Sequence, residues 1–107
     1  MTFGEIILAE YPFTNETDFK KRPALVILDP DDGDILLARV SSQPFESDYE
    51  TTIGDWESAG LRFPSWVRLH KLVTLQKSLI DKSLGKLSPT DLQTVKEKLK
   101  EMVENLG

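Results

Sequence analysis

The apolar residues of this chain change their spacing once. As far as Leu75 they fall in short runs and alternations, and from Leu92 onward they recur every three or four residues. A period of two belongs to a strand with one buried face, and a period near 3.6 to a helix with one apolar stripe. The chain is thus restricted to a sheet followed by a helix that packs on it.

The runs can be placed in order. Residues 5–11 (EIILAEY) read as a first strand, and residues 12–21 are a polar loop. Residues 23–28 (PALVIL) read as a second strand, with proline tolerated at its first position. The acidic stretch 29–34 (DPDDGD) is a hairpin turn by composition. It resembles a calcium loop only superficially, because the EF-hand spacing and closing glutamate are missing. Residues 35–42 form a third strand with Ile35, Leu37, Arg39 and Ser41 on one face. Residues 43–48 and 54–64 are loops around a short fourth strand at 49–53. Residues 66–75 alternate most clearly, with Trp66, Arg68, His70 and Leu72 pointing one way. Residues 76–83 are expected to form a short helix or turn. Ser88, Pro89 and Asp91 then supply an N-cap, a first-turn proline and a first-turn acid. Leu92, Val95, Leu99, Met102, Val103 and Leu106 form the helical stripe. The expected architecture is one mainly β domain over residues 1–107: a small, strongly bent antiparallel sheet with a packed C-terminal helix.

Composition narrows the chemistry. Cysteine is absent and His70 is the sole histidine, so a thiolate zinc site, a cysteine nucleophile or a multi-histidine metal site is excluded within one chain. No cofactor and no metal are expected. The longest apolar run, residues 24–28, is far short of a membrane span. The opening residues have no basic segment leading into an apolar one, so no secretory signal is read and the cytoplasm is the expected location. The net charge of −5 is unevenly spread: residues 62–86 hold six basic side chains and one acidic one, whereas residues 1–61 hold four basic and thirteen acidic. Protein fields are local on the scale of a Debye length, so the basic segment can face a polyanion even in an acidic chain. The plainer reading is a solvated lysine-rich surface.

Three constellations could carry chemistry. Arg22 opens a strand behind Lys20 and Lys21, and the rigid Pro23 would help it present a planar fork to a phosphate; otherwise it is a surface charge. Ser41 and Ser42 end the third strand, where a hydroxyl can bond a phosphate oxygen or a base edge, or simply cap a turn. Arg68 and His70 share a strand face with Trp66 and could meet single-stranded nucleic acid by charge and stacking, or could border a core tryptophan.

Four segments, in order, resemble the PemK/MazF-like toxins of bacterial toxin–antitoxin pairs. Residues 4–14 (GEIILAEYPFT) look like the family's first strand, commonly Gly-Asp-Ile-x-x-x-x-Phe-x-Pro-Thr. Residues 21–27 (KRPALVI) match its Arg-Pro-Ala-hydrophobic signature, the most specific of the four. Residues 40–43 (VSSQ) stand where members often have Pro-x-Thr-Thr or Thr-Ser, and residues 84–88 (LGKLS) match a Leu-Gly-x-Leu signature before the last helix. Together they span residues 4 to about 104.

The resemblance implies a small SH3-like barrel with a C-terminal helix. It implies a homodimer, a metal-independent endoribonuclease that cuts single-stranded RNA such as mRNA, and a cognate antitoxin whose acidic tail occupies the RNA groove. Arg22 matches the family's catalytic arginine and Ser41 its catalytic threonine or serine, with Ser42 the neighbour in register. Lys20, Lys21, Arg39, Ser42, Gln43, Arg68 and His70 are the candidate RNA-binding residues. The chain departs from the family at residues 15–19, at Arg39 where a proline is common, and at His70-Lys71 where many members have Asp-Gln. Two other readings share the fold: a toxin that grips a protein target such as DNA gyrase, and a member that binds an antitoxin without cutting RNA.

Overall fold

The structure, a computed structural model, describes residues 1–12, 19–44 and 47–107. Six strands form one antiparallel sheet: β1 (Glu5–Pro12), β2 (Phe19–Leu28), β3 (Asp34–Ser41), β4 (Glu50–Ile53), β5 (Ser65–Gln76) and β6 (Ile80–Lys86). Their order is β4-β5-β3-β2-β1-β6. The helix α1 (Pro89–Glu104) follows. The mainly β reading and the C-terminal helix stand. The sheet, however, is open, with β4 and β6 at its edges, so "barrel" fits it only loosely.

Residues 76–83, expected as a helix or turn, divide. Lys77–Leu79 make one 3-10 turn, and Ile80 onward becomes β6, paired with β1 from Ala9 to Glu5. The alternation of β6 is weak because none of its residues is fully buried. Pairing with β1 makes it a strand. Residues 19–21 also extend β2 beyond the expected loop boundary, opposite Pro12, Tyr11 and Glu10. The rest of that expected loop, residues 13–18, lies outside the described residues. The acidic stretch does turn the β2–β3 hairpin: Asp29 and Asp32 side chains accept the Asp31 and Asp34 amides at 2.9 and 3.0 Å.

The apolar residues build two layers. On one face Ile6, Leu25, Ala38, Val40, Val67 and Leu69 pack with Val95, and Leu92, Leu99 and Met102 of α1 close over them. The other face holds Ile7, Ala9, Ala24, Val26, Ile35, Leu37 and Leu75. The last two positions of the helical stripe do not join the core, as Val103 and Leu106 are exposed.

The loop between β4 and β5 is held at three points. The buried Asp91 carboxylate accepts the Gly54 and Asp55 amides at 3.0 and 2.9 Å. Gly60 lies against Leu84 and Gly85 against Ala59 so closely that a Cβ on either would fall on the facing carbonyl. The Leu-Gly-x-Leu segment is thus the place where this loop lies on β6. At its far end Ser65 Oγ donates to the Phe63 carbonyl at 2.8 Å.

Candidate nucleic-acid interface

The β2–β3 ladder begins only at the Ala24–Arg39 rung. Beyond that rung β2 stays with β1 as far as Phe19, while β3 stays with β5 as far as Ser41. Pro23, which has no N–H to offer, stands just past the rung. The two strands part there, and a cavity of about 720 Å³ opens between them.

Strand geometry decides what faces the gap. Arg22 is two residues from Ala24, Ala24 faces Arg39 across the ladder, and Ser41 is two residues beyond Arg39. All four positions therefore share one face of the sheet. Arg22, Arg39, Ser41, Ser42 and Gln43 line the cavity together with Lys21. Arg62 and Phe63 from the clamped loop and Lys82 from β6 complete it. Five cationic side chains thus converge, and among the described residues no carboxylate lines the cavity. One of these cations, Lys21, is paired outside the lining with Asp81 at 3.4 Å. A concave surface lined by one sign of charge concentrates counter-ions and steers a polyanion inward.

Ser41 does cap a turn: its Oγ accepts the Gln43 amide at 3.1 Å. That bond uses a lone pair of the hydroxyl and leaves its proton available to a third group.

Three candidates are placed elsewhere. Lys20 stands two residues further along β2 than Arg22, roughly 6.6 Å of extended chain, and does not line the cavity. Arg68 faces inward. Its Nη2 donates to the Gln43 carbonyl at 2.8 Å, and its Nε lies 3.8 Å from the Glu50 carboxylate, with both side chains at most 10% exposed. It supports the segment that carries Gln43 rather than offering a charge to the groove. His70 sits at a different cleft, with Tyr49, Leu72 and the end of α1, and its Nδ1 is 3.5 Å from Ser47 Oγ. The physical reason is a break in register. Between Ala38 and Arg39 the β5 partner jumps from Leu72 to Arg68, leaving Leu69, His70 and Lys71 outside the β3 ladder. The Leu69 amide turns to the Tyr49 carbonyl instead, at 2.9 Å. A strict two-residue alternation does not survive such a bend.

Sequence reasoning missed Phe63 as a groove residue and left Arg62 and Lys82 as members of a charged segment. The basic bias of residues 62–86 was the available signal for the two cations. Nothing local marked the phenylalanine, whose place depends on the loop's anchors. The described residues contain no cluster of three or more His, Cys, Asp or Glu side chains suited to a metal. None of their helices is long and apolar enough to cross a membrane.

An open six-stranded sheet with one packed helix carries a cationic groove at a strand fork. A family model for the PemK-like, MazF-like toxins of type II toxin–antitoxin systems matches residues 2–103, and the chain belongs to that family. No curated protein sequence matches it. Solved structures do match in fold. An endoribonuclease with its cognate antitoxin from a mycobacterial species aligns at TM-score 0.78 and 13% identity, covering 100% of this chain and 98% of the other. The Mycobacterium tuberculosis toxin MazF-mt6 aligns at 0.77 and 17%, covering 94% and 96%. MazE–MazF from Deinococcus radiodurans aligns at 0.75 and 18%, covering 98% and 96%. At these identities the likeness is one of fold.

Proposed function

We propose that this toxin is an endoribonuclease that cuts single-stranded RNA without a metal, using the fork between β2 and β3. The observation that carries the reading is the convergence of Arg22, Arg39 and Ser41 on one face of the groove, among five cations. In the proposed reaction a ribose 2′ oxygen attacks the adjacent phosphorus and loses its proton. The bond to the 5′ oxygen breaks, and that oxygen takes up a proton. The products are a 2′,3′-cyclic phosphate and a 5′-hydroxyl end. Negative charge rises on the non-bridging oxygens as the new bond forms. A positioned guanidinium and a hydroxyl donor stabilise that charge where it develops. Arg22 supplies the guanidinium and, as a poor proton acceptor, does not serve as the base. Ser41 supplies the hydroxyl proton left over from its turn. Lys21, Arg39, Arg62 and Lys82 hold the flanking phosphates and provide positive charge that a metal ion would otherwise bring.

The same groove suits an antitoxin with an extended acidic segment, which would compete with RNA for it. The cleft of about 500 Å³ at the end of α1, with the exposed Leu72, Val103 and Leu106 along it, offers an apolar face for the expected homodimer. A cytoplasmic location follows from the substrate.

The test is a long single-stranded RNA incubated with the protein in EDTA, beside an Arg22→Ala variant, with the cut ends mapped. Site-specific cuts ending in cyclic phosphate are expected, with the variant slower by about 10² to 10³. RNA left intact by the wild-type protein across many sequence contexts would reject the reading.

A further inference from the structure

Phe63 is a large apolar side chain left 64% exposed at the lip of a cationic groove. Exposed single hydrophobes are ordinary, but this one is unusual in its support. The Asp91 clamp, the close contacts of Gly60 with Leu84 and of Ala59 with Gly85 on β6, and the Ser65 hydroxyl on the Phe63 carbonyl fix the loop that carries it. Pro64 stiffens the backbone immediately after it. The ring therefore stands on a held backbone beside Arg62, with Leu61 as a partly buried neighbour in the same wall. An aromatic face next to a track of cations is how single-stranded nucleic acid is gripped without reading its sequence: the cations follow the backbone and a base stacks on the ring. A duplex cannot use such a ring, because its bases are already stacked on one another.

From this geometry we infer that Phe63 is the stacking platform for one unpaired base next to the phosphate held by Arg22 and Ser41, with Arg62 on the adjoining phosphate. This rests on the ribonuclease reading. Phe63 sets the requirement for a splayed single strand, and the fixed backbone beneath it means that little ordering is left to do when the base arrives.

The probe is a short RNA blocked from cleavage by a 2′-O-methyl group and carrying the fluorescent base 2-aminopurine at successive positions. With the wild-type protein, fluorescence should be quenched at one position. Phe63→Ala should lose that quench and bind roughly 10- to 100-fold more weakly. Phe63→Trp should retain both, and Phe63→Leu, which keeps the apolar bulk, should behave like the alanine variant. Since the side chain is largely exposed, thermal melting of all three variants should match the wild type. Unchanged quench and affinity in Phe63→Ala, alongside cleavage that still depends on Arg22, would overturn the stacking role and leave the ribonuclease reading intact. A wild-type protein that neither binds nor cuts RNA would overturn both.

Discussion

Arg39 and Arg68 face each other on one rung of the β3–β5 ladder, yet they do different work. Arg39 lines the groove, and the described lining holds no carboxylate to meet it. Arg68 meets the Glu50 carboxylate and the Gln43 carbonyl and is buried with them. The difference lies in what each neighbouring strand supplies. β4, the edge strand beyond β5, pairs Glu50 with Arg68 and closes that side. On the other side β2 parts from β3 just beyond the Ala24–Arg39 rung, so Arg39 stands at the edge of an opening. The same residue type is left facing a groove or is held in a buried pair according to whether a carboxylate lies within reach.

That contrast can be broken by mutation. Arg68→Ala should have the largest effect on stability, about 3 kcal/mol, because it leaves the Glu50 carboxylate buried without its cation. Denaturant melts would show it, and adding Glu50→Gln should recover part of the loss. A melt unchanged by Arg68→Ala would mean that Arg68 is not structural. Arg39→Ala should do the reverse. Its stability should stay within about 0.5 kcal/mol of wild type, while RNA affinity falls and the slope of log K against log salt drops by about one. A salt slope unchanged by Arg39→Ala would remove it from the phosphate track.

A smaller effect is expected at Asp29, another little-exposed carboxylate, here tied to cations near the surface. The Lys77 ammonium donates to it, as do the N-terminal ammonium and the Asp31 amide, and together they hold its pKa down from 3.8 to about 2. Because the folded value lies below the unfolded one, the contribution is present above about pH 4 and is lost as pH falls toward 2. Melting temperature measured across that window should fall in the wild type and be flatter in Asp29→Asn. Equal slopes would show that the pair is screened by solvent.

Much was legible in the chain alone. The two apolar periods marked the strands and α1, because burial on one face imposes the period of the element. The acidic hairpin and the Ser88 cap were readable because their bonds reach only two or three residues along the chain. Arg22 and Ser41 could be named as candidates because residues 21–27 and 40–43 resemble the family's motifs, and Arg39 because strand alternation places it on the Ser41 face.

What tertiary structure alone decided involves partners distant in sequence. β6 is a strand because β1 pairs with it, and its own residues carry no strong pattern. His70 left the candidate site because it is one of three β5 residues that slip out of the ladder, and Arg68, still opposite Arg39, because Glu50 and the Gln43 carbonyl hold it. Phe63 entered it because Asp91, Gly85 and Ser65 hold its loop from three directions. Local periodicity carries information about which face is buried. It carries none about which distant carboxylate, glycine or hydroxyl will be waiting there.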